Sequence, residues 1–348
     1  MSEHGGRDLD APEAMVITGA AGWLGQNLVR AVAADGRRVR CLAHTAEEAA
    51  LLAVVGPNVD AIAGDVRDPA ALDRLLSGMH GATVVHAAAV IHPRRVRAFH
   101  DVNAGGTQLV LDRARRHGLG RLVHISSNSP FGANATPDDR FDERSPFNPY
   151  LGYGRSKADA EAMVRVAGRR GDVDAVILRP PWFYGPHQPE RQTRWLRAVR
   201  RNRFPLVGDG RNRRSMIFTG NLVHAVRRAE VARVASGGAY WVSDGPPPTM
   251  VEILETVRRA LADEGLDVTG GRPPSVPRLV GEAAARLDAT LQGRGRYVQV
   301  LHVLGELKDT IACDHRAATR DLGYTPATSL HEGMRASIRW CVDRGEAL

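Results

Sequence analysis

A tyrosine and a lysine four residues apart, in Tyr153-Gly-Arg-Ser-Lys157, are the residues of this 348-residue chain whose types and spacing most directly describe chemistry. Side chains four apart on a helix leave the same face, so the Lys157 ammonium can stand near the Tyr153 phenol and bias its ionisation. Such a phenol protonates a carbonyl oxygen as hydride reaches the carbon, or takes the proton back in reverse. A free tyrosine titrates near 10, so exchange near neutrality implies a shift of roughly three units, about 4 kcal/mol in favour of the phenolate. The lysine is expected to supply much of that shift and to hold a nicotinamide ribose. Lys157 and Lys308 are the only lysines, against forty-five arginines, so a lysine at this spacing carries more information than composition would lend it. The plain alternative is a surface tyrosine beside a solvated lysine.

A hydride chemistry needs a dinucleotide, and Thr18-Gly-Ala-Ala-Gly-Trp-Leu-Gly25 has the pattern to hold one. Gly19, Gly22 and Gly25, with Trp23 between them, let the backbone approach a pyrophosphate where Leu24 opens a helix. An apolar strand before the loop and an apolar helix after it give the triplet its context. At the end of the second strand an acid would bind the ribose 2′-hydroxyl and repel a 2′-phosphate. His44 stands there instead, with no acid before Glu47. Arg38 and Arg40 alternate on that strand, which tips the choice between NAD and NADP toward NADP. If His44 only caps the strand edge, the choice stays open. Asp65 closes the third strand, placed to accept from an adenine amino group while Val66 packs on the ring. Asp68 reads as the cap of a helix beginning at Pro69. Ala87 and Ala88 follow the fourth strand and are small enough for close contact with the cofactor, though packing alone would also account for them. Ser126 and Ser127 end the fifth strand at the carboxyl edge, where Ser127 is the choice to polarise the substrate oxygen and capping is the alternative.

The elements that must position these residues follow from periodicity. Strand-like runs at 14–18, 39–43, 59–63, 83–86, 121–126 and 175–178 alternate with helical patterns at 24–34, 69–76, 103–116 and 157–167. That is an α/β chain with a doubly wound parallel Rossmann sheet. After Pro180 the alternation stops, and helical patterns at 193–201, 250–262 and 276–291 read as a smaller, mostly helical cap for the substrate. A run at 239–243 can return to the main sheet. The expected division is a disordered leader at 1–13, a dinucleotide domain at 14–184 with 210–244, and a cap at 185–209 with 245–348.

A formal charge of +8 invites a nucleic-acid partner. The arginine pairs are scattered, however, and no stretch interleaves them with aromatics, so they read as solvated helix faces that help an anionic cofactor or substrate arrive. Cys41, Cys313 and Cys341 fit neither a disulfide framework nor a metal site, which suits the cytoplasm. No apolar run reaches the length of a membrane span.

Taken in order, these motifs resemble the extended branch of the short-chain dehydrogenase/reductase superfamily. The glycine loop, Gly64-Asp65, His86 to Ala89, Asn103 with Gly106-Thr107, Ser126-Ser127, Tyr153 with Lys157, and Arg179-Pro180-Pro181-Trp-Phe-Tyr-Gly-Pro186 carry the likeness over nearly the whole chain. The resemblance implies that Ser127, Tyr153 and Lys157 form the catalytic set, that Pro180 borders the nicotinamide, and that helices at 103–116 and 157–167 pair two chains into a homodimer. Segments 207–210, 214–221, 241–245, 322–326 and 329–334 look most like the 3β-hydroxysteroid and sterol dehydrogenase-like group. Nucleotide-sugar epimerases share much of the pattern, including an arginine like Arg214 that would meet a diphosphate. Sugar 4,6-dehydratases fit less well, because their acid pair would fall at Asn128 and Ser129. The expected activity is therefore an NAD(P)-dependent interconversion of a secondary alcohol and a ketone on a bulky small molecule. Asn128, Trp182, Tyr184, His187 and Arg214 would line its pocket, or else serve as packing. An epimerase with transient oxidation is the alternative, and a non-catalytic dinucleotide sensor is another, although a binder has no need of all three catalytic residues.

Overall fold

Seven parallel strands form the central sheet of the computed structural model, which describes residues 11–348. They are β1 (Ala14–Thr18), β2 (Arg38–Ala43), β3 (Val59–Ala63), β4 (Thr83–His86), β5 (Arg121–Ile125), β6 (Ala175–Arg179) and, later in the chain, β10 (Gly238–Trp241). Their order is β10-β6-β5-β4-β1-β2-β3. Strands such as β4 and β6 are buried along their whole length because helices cover both faces, which is why they read as unbroken apolar runs. The order reverses direction between β1 and β4, opening a crevice at their carboxyl ends. The expected leader falls outside the described residues as far as residue 10. Residues 11–13 run straight into β1, with the Glu13 carbonyl accepting from the Arg38 N–H at 3.1 Å.

Before β10 the helices of the chain are α1 (Trp23–Ala34), α2 (Ala46–Ala53), α3 (Pro69–Leu76), α4 (Arg97–Phe99), α5 (Gly105–Arg116), α6 (Leu151–Arg169), α7 (Glu190–Arg200) and α8 (Thr219–Val231). After it come α9 (Met250–Asp263), α10 (Arg278–Gly293), α11 (Gln299–Glu306) and α12 (Leu330–Asp343). On one face of the sheet Leu28, Val29, Leu222 and Val226 of α1 and α8 join the core, and on the other Leu72, Leu75, Val110 and Val164 of α3, α5 and α6 do so. Two short parallel pairs lie outside the sheet, β7 (Trp182–Tyr184) with β9 (Met216–Phe218) and β8 (Leu206–Val207) with β11 (Ser275–Val276). A third cluster gathers Trp195 and Leu196 of α7, Ile253 and Val257 of α9, and Met334 and Ile338 of α12, while α10 and α11 pack on each other as a hairpin.

The expected run at 239–243 does join the sheet, beside β6. Some elements were not foreseen. Helix α2 is short, and its start is held by a local capping box between Thr45 and Glu48 rather than by a strong apolar period. The expected helix at 103–116 is preceded by a π-helical turn, His100–Ala104. Helix α6 begins six residues ahead of Lys157, so Tyr153 lies in its first turn. Ala317, Ala318, Leu322 and Tyr324 pack into the core beneath α8 although they follow the helical region in sequence.

Candidate active site

The glycine loop is built to receive an anion. Gly19 has φ +70°, and a Cβ there would lie 2.6 Å from the Ala88 nitrogen and 2.7 Å from the Ala87 carbonyl carbon, so the loop rests directly on the backbone after β4. A Cβ at Gly25 would come within 2.6 Å of Ala20 Cα, which fixes the close approach of α1 to the loop. Gly22 is the N-cap of α1 without any side-chain cap, and no acid stands in the first turn. The N–H groups of Trp23, Leu24 and Gly25 are therefore left for a phosphate, and a dinucleotide fits this cradle. The Leu24 side chain is buried in the core. The Trp23 indole donates instead to the Gly185 and Pro186 carbonyls at 3.2 and 3.0 Å, so it fastens the chain after β7 to the loop.

The adenosine end differs from expectation. His44 is 73% exposed, its backbone N–H donates to Glu48, and its ring lies 4.0 Å from Asp65. Asp65 is paired with Arg67 at 2.6 Å, and that guanidinium holds its carboxyl below the usual range. Val66 turns inward against Gly106. Arg38 and Arg40, on which the NADP preference rested, start β2 roughly 20 and 13 Å of strand before His44. Arg40 is moreover engaged by Asp60 and the Ser77 carbonyl, both at 2.7 Å. Neither reaches the edge where the ribose would lie.

Near the carboxyl end of β5 the Tyr153 hydroxyl lies beside Ser127 and the Lys157 ammonium reaches the last strand carbonyl, with electrostatics that run against the expectation. Burial pushes the Tyr153 hydroxyl up to about 12, the Ser127 hydroxyl pulls it down, Glu306 pushes it up and Arg191 pulls it down. The Lys157 ammonium donates to the Ile125 carbonyl at 2.7 Å, which directs it at the end of β5. Burial brings Lys157 down to about 8, with Glu161 one turn on opposing the fall. The phenol is thus held protonated in this state, where the sequence led us to expect a lysine-driven loosening. Ser127 accepts from the Ser129 N–H at 3.2 Å, and Asn128 opens the turn that follows.

Several buried groups position this set. Ser126 donates to Glu161 at 2.7 Å and Arg179 donates to the same carboxylate at 2.5 and 3.1 Å. The Ser126 hydroxyl proton therefore goes to Glu161, which leaves this side chain only as an acceptor. Asn103, in the π turn, accepts from the Val90 N–H at 2.8 Å and donates to Ser156 Oγ at 2.9 Å, linking the chain after β4 to α6. His86 bridges Thr18 and Thr107 at 2.7 and 2.9 Å and stays neutral, its pKa pushed to about 3 by burial and the charge of Lys157. Pro180 is buried behind β6.

On the substrate side the sequence overreached. Tyr184 is fully buried and donates to Asp244 at 2.6 Å, so it is a core residue and not a pocket wall. Arg214 is buried too and donates to the Glu306 carbonyl at the end of α11, while its Nε has no partner among the described residues. Trp182 packs edge-on against Trp195 at 5.0 Å, and His187 lies on Trp340 at 5.5 Å with φ +61°. Around Tyr153 stand instead Phe99 at 5.7 Å, Tyr297 beyond it at 5.3 Å from Phe99, and Arg191, whose charge reaches both tyrosines. None of these three carries a motif signal, since each is a common residue brought in from a separate helix or loop.

The family model described as NAD dependent epimerase/dehydratase matches residues 15–242. An uncharacterized protein of Sinorhizobium fredii is 41% identical over 97% of this chain and 98% of its own length. A 4-hydroxy-2-methyl-3-oxo-4-farnesyl-3,4-dihydroquinoline-1-oxide ketoreductase of Stigmatella aurantiaca is 30% identical over 92% of this chain and 94% of its own. A 2-alkyl-3-oxoalkanoate reductase of Stenotrophomonas maltophilia is 30% identical over 92% and 97% respectively. In fold, the chain superposes on a dTDP-glucose 4,6-dehydratase from Streptomyces venezuelae, solved with NAD, with a TM-score of 0.73 at 24% identity over 95% of this chain and 98% of that one. With its glycine cradle, its Tyr153–Lys157 pair and this breadth of likeness, the chain belongs to the NAD-dependent epimerase/dehydratase family of extended short-chain dehydrogenases/reductases.

Proposed function

We propose that this enzyme is an NAD-linked oxidoreductase that interconverts a secondary alcohol and a ketone on a bulky small molecule, held by the helical region after Pro180 as a cap. The observation that carries the reading is the half-buried, protonated Tyr153 beside the Ser127 hydroxyl, a proton donor ready for a ketone oxygen. Bound nicotinamide would supply the hydride. Ser127 would orient the oxygen, Tyr153 would deliver the proton, and the Lys157 charge would steady the phenolate left behind. Asn128 and Ser129 leave no acid pair for dehydration, and two relatives of 30% identity over nine-tenths of the chain bear reductase names. NAD is favoured over NADP because the matching family is NAD dependent and the dehydratase of like fold was solved with NAD. We further place the enzyme in the cytoplasm, where its three buried, unpaired cysteines stay reduced, as a homodimer joined through α5 and α6.

The test is NADH absorbance during incubation with a panel of bulky ketones, repeated with NADPH. Net oxidation of NADH in preference to NADPH is expected. Interconversion of nucleotide sugars without net absorbance change would establish an epimerase instead, and cofactor binding without any turnover would establish a sensor.

A further inference from the structure

Arg191 is the second residue of α7 and sits where the two parts of the chain are fastened together. On one side Trp23 and Asn27 of α1 hold the Pro186 carbonyl at 3.0 and 2.9 Å. On the other, buried Gln188 accepts from Ser337 of α12 at 2.5 Å and donates to Thr193 at 3.0 Å. The backbone that presents Arg191 is thus pinned between the glycine-loop helix and the helical region.

The surroundings of its guanidinium are unusual. Its charge reaches Tyr153, Tyr297 and His92, three members of one ring cluster. In that cluster His92 Nδ1 lies 2.8 Å from the Tyr297 hydroxyl, and Phe99 stands between Tyr297 and Tyr153. Among the described residues the Arg191 side chain makes no hydrogen bond and no ion pair. Burial lowers its pKa, and the groups that oppose this are two phenols, not a carboxylate. The fully buried arginines are served differently: Arg37 has Glu230 at 2.7 Å, Arg179 has Glu161 at 2.5 Å, and Arg214 has the Glu306 carbonyl. A half-buried guanidinium without an acid carries a desolvation cost that an anionic ligand would offset.

We infer that Arg191 anchors a carboxylate of the substrate, within a few bonds of the carbon whose oxygen meets Tyr153, so that the preferred substrates are hydroxy or oxo acids rather than neutral ketones. A carboxylate suits one planar guanidinium, which it can engage through two parallel hydrogen bonds. A diphosphate would call for further cations, and Arg214 is turned to the end of α11. This assignment deepens the ketone-reductase reading and rests on it for the role of Tyr153.

The test is calorimetric titration of the enzyme–NADH complex with 3-hydroxydecanoate and with its methyl ester, neither of which can react with the reduced cofactor. The acid is expected to bind at least about tenfold tighter than the ester. In Arg191→Met that preference should vanish with ester and NADH affinities held within about twofold, and Arg191→Lys should restore part of it. Equal binding of acid and ester by the native enzyme would overturn the inference. So would an acid preference that survives in R191M, a loss of NADH affinity in R191M, or tighter binding of UDP than of the acid. Because no turnover is read, an enzyme that reduces no ketone yet shows the Arg191-dependent preference keeps this inference and loses the previous one.

Discussion

Tyr153 and Lys157 stand one turn apart on α6, yet each has its own environment, and that difference sets the pH behaviour. Held up to about 12, Tyr153 is a phenol throughout the neutral range, the form that can protonate a ketone. Lys157, brought down to about 8, loses its charge near the top of that range. Reduction needs both groups protonated, so its kcat/KM should be level below about pH 7 and fall as pH rises through about 8. Oxidation needs the phenolate, whose fraction grows with pH below about 12, so it should rise up to about pH 8 and level off as the Lys157 charge that steadies the phenolate is lost. A Lys157→Met variant should lose the step near 8 along with much of its rate, and a reduction profile that climbs with pH would remove Tyr153 from the role of acid. Tyr153→Phe should lower kcat by about 10²–10⁴-fold while NADH affinity, read by fluorescence titration, stays within about twofold. The pairing itself was readable from the four-residue spacing. The direction of the phenol's shift was not, because it depends on burial under Phe99 and on Lys157 reaching the Ile125 carbonyl, both set by contacts distant in sequence.

Among the elements, the turn from β1 into α1 was the most legible, since glycine at three fixed positions has few other reasons to occur between an apolar strand and an apolar helix. Its geometry makes a sharp prediction. Gly19→Ala must place a Cβ against the Ala87–Ala88 backbone at φ +70°, and neither can give way without moving β4. It should cost about 1–3 kcal/mol in thermal unfolding and weaken NADH binding at least about tenfold. Gly36→Ala is the control, since Gly36 has φ +75° with nothing within 4 Å of the added carbon. It should bear the conformational cost alone and leave the cofactor affinity unchanged. Less legible were the π turn at His100–Ala104 and helix α2. The π turn inserts Asn103 between the Val90 backbone and Ser156, a demand of the tertiary site rather than of local propensity.

For the whole molecule, the proposed dimer has a surface that can be examined. On α6, Arg155, Asp159, Ala162 and Val166 are exposed at helical spacing, with Val166 46% exposed, and α6 lies beside α5. Sedimentation equilibrium should give twice the chain mass, and Val166→Glu should return it to one chain without loss of NADH affinity. A native enzyme that sediments as a single chain at all concentrations would rule this pairing out. What the sequence by itself determined is whatever local order encodes: strands by their apolar runs, helices by their period, the cradle by its glycines, and the candidate proton-transfer pair by its spacing. What only the tertiary structure decided is which polar groups remain free for a ligand. The Ser126 hydroxyl proton goes to Glu161, that of Tyr184 to Asp244 and an Arg214 N–H to the Glu306 carbonyl, whereas the Arg191 guanidinium, which no motif marks, has no partner among the described residues. The reason is physical: side-chain periodicity fixes which face of an element is buried, but a hydrogen-bond partner is chosen by segments that meet only when the chain has folded.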